Sequence, residues 1–223
     1  LPISSYIGIA STRPSIAKSK SSNRWLQRHV KDPYVRKARA DGYRSRAAFK
    51  LLEINTRDRL LHPGDCVVDL GGAPGGWSQV AVKLTAPGGA VIAVDLLEIA
   101  PISGVTVLRG DCREPETQAL VTAALGARKA DLVLSDMSPN ISGIASSDQA
   151  RAAELIRTAI DFCRVQLKPS GAFLVKVFLG GEFAEVFKEM KAVFSEVRTL
   201  KPAASREESR ETYLLARRLK GIQ

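Results

Sequence analysis

From about residue 61 onward the chain alternates two hydrophobic patterns. Short apolar or β-branched runs fall at 66–70, 90–96, 105–108, 131–135, 172–178, 193–199 and 212–216. Between most of them lie amphipathic stretches at 77–84, 115–125, 148–167 and 183–192. The longest of these carries Ala152, Leu155, Ile156, Ala159, Ile160, Cys163 and Leu167, the i, i+3, i+4 spacing of one helix face. Runs apolar along their whole length suit strands buried on both faces, so the rhythm predicts an α/β fold, a mainly parallel sheet with helices on both sides.

Ahead of this region, Ala47, Leu51 and Ile54 predict a helix from Tyr43 to about Arg59, closed off by Pro63-Gly64. Residues 16–42 are basic and predict a short helix or two with loops, with Pro33 as an interruption. Residues 1–15 form a weakly apolar extension, too short and wrongly flanked for a secretory signal, and receive no function.

Acidic residues recur at strand ends. Asp69, Asp95 and Asp136 each stand at or near the carboxyl end of an expected strand, Asp111 follows just past another, and Lys176 comes late in the fifth. Open α/β sheets bind ligands along that edge, so these five residues mark a candidate site. The run Val67–Trp77 (VVDLGGAPGGW) passes from a strand through a glycine turn into a helix, where free N–H groups can receive an anion. Its glycine spacing is not GxGxxG, which disfavours a pyrophosphate cradle and a nicotinamide oxidoreductase. A nucleoside with an amino-acid tail fits better, its carboxylate on the backbone donors and its ribose on Asp95. For Trp77 alone, core packing and ligand contact are equally good readings.

The net charge of +10 lies entirely in the first 50 residues, which hold 12 Lys/Arg against Asp32 and Asp41; residues 51–223 hold 21 of each sign. With Trp25, Tyr34, Tyr43 and Phe49 interleaved, this block reads as a nucleic-acid contact rather than a solvated tail. No apolar stretch reaches the length of a membrane span. Cys66, Cys112 and Cys163 lie far apart with no metal-ligand spacing and read as buried thiols, so no metal is expected.

At this point the chain resembles the FtsJ/RlmE family of ribosomal RNA 2′-O-methyltransferases over residues 17–219. The resemblance rests on Gly42–Leu51 (GYRSRAAFKL), Asp69–Gln79 (DLGGAPGGWSQ), Asp131–Asn140 (DLVLSDMSPN), Val175–Phe178 (VKVF) and Ser205–Tyr213 (SREESRETY), in that order. Where the family usually shows Ala, this chain has Gly72 and Ser138, both small-for-small changes.

The resemblance implies a Rossmann-like fold of seven strands with an antiparallel last strand. It also implies S-adenosylmethionine held by Gly75, Trp77, Asp95, Asp111 and Asp136, and a catalytic set Lys50, Asp136, Lys176 and Glu211. The implied substrate is a uridine 2′-hydroxyl of large-subunit (23S) RNA within the assembled 50S subunit, met by a monomer in the cytoplasm. On that basis residues 16–60 are the RNA-binding segment and 61–223 the methyltransferase domain. A tRNA or mRNA-cap target and a non-catalytic ribosome-assembly factor are the alternatives.

Deprotonating a hydroxyl calls for a base, and His29 and His62 are poorly placed for it. Lys176 is the candidate, provided its amine is neutral when it acts. Glu211, at the start of an antiparallel last strand, would meet it at the same sheet edge.

Overall fold

The computed structural model describes residues 32–206 and 209–221. Its elements in chain order are α1 (Pro33–Ala40), α2 (Ala47–Asp58), β1 (Cys66–Leu70), α3 (Gly76–Thr85), β2 (Ala90–Asp95), β3 (Val105–Arg109) and α4 (Pro115–Leu125). They continue with β4 (Ala130–Ser135), α5 (Ala145–Gln166), β5 (Leu167–Phe178), α6 (Phe183–Val193), β6 (Phe194–Leu200) and β7 (Glu211–Leu219). One seven-stranded sheet runs β3-β2-β1-β4-β5-β7-β6. All neighbours are parallel except the pairs β7 makes with β5 and β6, so the last strand is the antiparallel one, as expected.

Each sheet face carries its own core. Val68, Val133 and Phe173 pack against Val121 of α4, Ala159, Ile160 and Cys163 of α5 and Met190 of α6. On the other face Val67, Leu132, Leu174 and Tyr213 meet Leu51 and Ile54 of α2 and Val80 of α3. Residues 47–58 are thus part of the sheet's own packing. Burying a leucine such as Leu51 completely contributes roughly 1.5–3 kcal/mol, enough to hold a 12-residue helix that would not persist alone. All three cysteines are buried and free. Among the described residues no helix is long and apolar enough to cross a membrane.

Three boundaries differ from the sequence expectation. Pro33 opens a helix instead of interrupting one: it sits in the first turn of α1, where its missing N–H is no loss, and Asp32 caps that turn through Tyr34 N (3.0 Å). The helix expected from Tyr43 begins at Ala47, because residues 43–46 form a turn docked on the glycine loop. The fifth strand begins at Leu167, five residues early, and its pairing with β4 shifts register between Ala130 and Leu132. The remainder of the 16–42 segment before Asp32, with Trp25 and His29, lies outside the described residues.

Candidate active site

The strand order reverses between β1 and β4, and a cleft of about 280 Å³ opens there at the carboxyl ends of the strands. Its walls include Gly71 and Ala73 of the glycine turn, Asp95 with Leu96 and Leu97 after β2, Asp111 after β3, and Asp136 with Met137 after β4. Three of the expected ligand residues, Asp95, Asp111 and Asp136, therefore converge. Asp95 already buttresses the turn, accepting from Ala73 N (2.9 Å) and Leu97 N (2.8 Å). Asp111 is gripped by the Arg113 guanidinium (2.6–3.0 Å), which holds its carboxyl below the usual range.

Gly75 and Trp77 do not line the cleft. Gly75 caps α3 with φ +111°, and a Cβ there would press on Ile102 (2.6 Å) and the Arg44 guanidinium (3.2 Å). Trp77 is buried, its ring 5.7 Å from that of Tyr213 and its indole N–H donated to Ala47 O (2.7 Å). Packing is what this side chain does here.

Beside the cleft lies a second cluster. The Lys176 side chain is only 7% exposed, so it does not snorkel to water. Its Nζ donates to the Asp136 main-chain oxygen (2.7 Å) and lies 3.2 Å from Asp136 Oδ1. Lys50, on α2, forms a buried ion pair with Glu211 at the start of β7. Burial alone would raise the Glu211 carboxyl; the charges of Lys50 and Lys176 overcome it and hold the group below its ordinary value.

Between the two pairs stands Tyr213, which the sequence reading gave no role. Its hydroxyl accepts from Lys50 Nζ (3.2 Å) and is 3.2 Å from Asp136 Oδ1 and 3.1 Å from Glu211 Oε1, either of which takes its single proton. Burial and those two carboxylates push the phenol well above its ordinary value, so it stays protonated. The available signal was the two-residue spacing from Glu211, which puts both on one strand face; the antiparallel register then sets Tyr213 opposite Lys176.

Asp69 is set inward from the rim. It is fully buried, Ser78 Oγ donates to Oδ2 (2.6 Å), and Oδ1 has no partner. Burial pushes its carboxyl up to about 7, aided by Asp136 and Asp95. Asp69 lies behind the glycine turn, next to Gly72, and does not line the cleft. Acids at three strand ends around a nucleoside-sized cleft, with a glycine turn leading into a helix, fit S-adenosylmethionine. Among the described residues no group of His, Cys, Asp or Glu is placed to hold a metal ion.

A sheet of this topology with a nucleoside cleft at its reversal point and a lysine–acid cluster alongside defines a Rossmann-like methyltransferase. Residues 43–219 match the family described as FtsJ-like methyltransferase. The chain belongs to that family, and its methyl donor is S-adenosylmethionine.

Similar proteins include the ribosomal RNA large subunit methyltransferase E of Marinobacter nauticus, 52% identical over 91% of this chain and 98% of that protein. The protein of the same name from Thiobacillus denitrificans is 54% identical over 90% and 91%. A crystal structure of a ribosomal RNA methyltransferase from Plasmodium falciparum superposes with a TM-score of 0.74 at 27% identity, covering 81% of this chain and all of that one.

Proposed function

We propose that this methyltransferase modifies the 2′-hydroxyl of a uridine ribose in large-subunit (23S) ribosomal RNA within the assembled subunit. The observation that carries the chemistry is the buried Lys176 amine held on both the main-chain and carboxylate oxygens of Asp136, at the edge of the cleft. The target class is supported by relatives named for large-subunit RNA that are about half identical along nearly their whole length. On the same reading residues 16–60 contact RNA, with Arg36, Lys37 and Arg39 exposed on α1, and the protein works as a monomer in the cytoplasm.

S-adenosylmethionine would supply a methyl group on a sulfonium, activated for in-line displacement; Asp95, Asp111 and Asp136 would hold it in the cleft, with Gly75 and Trp77 shaping the turn behind them. Alignment of acceptor oxygen and methyl supplies roughly 7–11 kcal/mol in favourable cases. A neutral Lys176 amine can direct its two N–H bonds to the Asp136 oxygens, which leaves its lone pair for the ribose hydroxyl. Taking that proton makes it an ammonium, stabilised by Asp136 Oδ1; such a base contributes about 10²–10⁴-fold. The ion pair with Glu211 orients Lys50 toward the incoming ribose, and Tyr213 ties the two halves together.

The test is methyl transfer from labelled cofactor to undermethylated large subunits and, in parallel, to bulk tRNA, with parent and Lys176→Ala proteins. The parent should label the subunits alone, at a uridine 2′-oxygen. The variant should bind cofactor normally and transfer at least about a hundredfold more slowly. Near-parental transfer by the variant would remove Lys176 as base. Preferential labelling of tRNA would overturn the substrate, and no transfer by the parent would favour a non-catalytic assembly factor.

A further inference from the structure

The segment that leads into α2 is bolted to the glycine turn. The Gln79 side chain brackets it, accepting from Arg44 N (2.8 Å) and donating to Gly42 O (3.0 Å). A Cβ on Gly76 would collide with Ser45 Oγ, so that glycine serves the approach of this segment. The Arg44 guanidinium reaches further. Nη1 donates to Pro74 O (3.2 Å) and Ala100 O (2.5 Å), and Nη2 to Pro101 O (2.7 Å). One side chain thus spans the glycine turn and the β2–β3 loop. That loop begins with Leu96 and Leu97, which are exposed and form part of the cleft wall. Six residues beyond Arg44 is Lys50.

We propose that Arg44 is a positioning residue that fixes the β2–β3 loop over the cofactor cleft, so that cofactor affinity depends on a side chain outside that cleft. The physical reason is the donor geometry. Among the described residues, these are the hydrogen bonds by which a side chain of the 42–47 segment holds Ala100 and Pro101. A planar guanidinium presents its donors from separate nitrogens at fixed angles, whereas an ammonium offers its three from a single point and cannot match this spacing of carbonyls. Without it, three carbonyls turn to water and the loop exchanges order for entropy.

This proposal rests on the cofactor assignment, so S-adenosylhomocysteine is first titrated into the parent by calorimetry; absence of binding there would refute the assignment and leave Arg44 without a role. Given binding, Arg44→Ala should raise its dissociation constant about tenfold or more. It should also speed amide hydrogen exchange across residues 96–104 in the ligand-free protein, while exchange in β1 and β4 stays parental. At saturating cofactor kcat should remain within about threefold of the parent, so the loss appears in the cofactor KM. Arg44→Lys, which keeps the charge and stem, should fall between the two. Should Arg44→Ala fail to fold, the lysine variant alone carries the test. Parental affinity and parental loop exchange in the variant that folds would overturn the proposal, as would faster exchange spread evenly through the sheet.

Discussion

Replacing Asp69 with asparagine should make the ligand-free protein more resistant to rising pH. The parent carboxyl is held up to about 7 by burial, against 3.8 when free. A raised acid keeps its proton in the folded state after the unfolded chain has lost it. Stability therefore falls as pH climbs from roughly 4 to 7 and levels off above. At about 1.36 kcal/mol per unit, the full penalty reaches about 4 kcal/mol, of which roughly 2.5 kcal/mol is incurred between about pH 5 and pH 8. An asparagine has no charge to lose, and its Oδ1 can still accept from Ser78. Thermal unfolding of both proteins at the two pH values isolates the effect, since other groups titrate alike in each. For a chain of this size a kcal/mol is worth about 2–4 °C, so the variant's Tm relative to the parent should rise by roughly 5–10 °C across that interval. A difference in Tm that is the same at both pH values would refute the reasoning.

Two further outcomes are expected. Tyr213→Phe keeps the ring packing on Trp77 but removes the hydroxyl that joins Asp136, Glu211 and Lys50; steady-state kinetics should show kcat down about tenfold or more, with a stability loss of about 1 kcal/mol seen in thermal unfolding. Gly75→Ala forces a side chain into φ +111° and against Ile102, and denaturant titration should give a loss of about 2 kcal/mol with weakened cofactor binding.

What the sequence made legible follows from what burial does to composition. Strands β1, β2 and β4 are apolar along nearly their whole length because helices cover both faces, so their limits were readable to within a residue. The start of β5 was not. Lys168-Pro169-Ser170-Gly171 has turn composition, and it stays extended because Gly171 lets the strand pass close to Leu167 and Asp131, where any Cβ would collide. Residues 43–46 were read as helix because a periodic pattern carries no mark of its first turn; a tertiary contact, Arg44 on the loop carbonyls, decides the boundary. The acids at strand ends were visible from spacing alone. Tyr213 joins them only through the β5–β7 register, which no local pattern encodes.

The lysine–acid cluster also depends on a residue at the far edge of the described chain. Asp32 caps α1 through Tyr34 N, pairs with Arg46, and accepts from Arg206 Nε and Nη2 (3.3 Å each), its side chain only 7% exposed. Arg46 also donates to Ala204 O, and burial together with Arg206 lowers its pKa. One turn along α2 from Arg46 is Lys50, and close after Arg206 comes Glu211. Asp32 thus clamps the two walls that carry the Lys50–Glu211 pair. Two variants separate its jobs. Asparagine is as good a helix cap but brings no charge, leaving two guanidinium groups facing each other. Losing a buried pair costs about 3–5 kcal/mol; with Arg206 39% exposed, water screens part of this, and about 2 kcal/mol is expected for Asp32→Asn. Alanine should add about 1 kcal/mol for the cap. Because the clamp governs where Lys50 sits, Asp32→Asn should also raise the KM for RNA while leaving cofactor affinity at the parental value. If the asparagine variant matched the parent in Tm and in RNA KM, the charge of Asp32 would have no part in holding the site together.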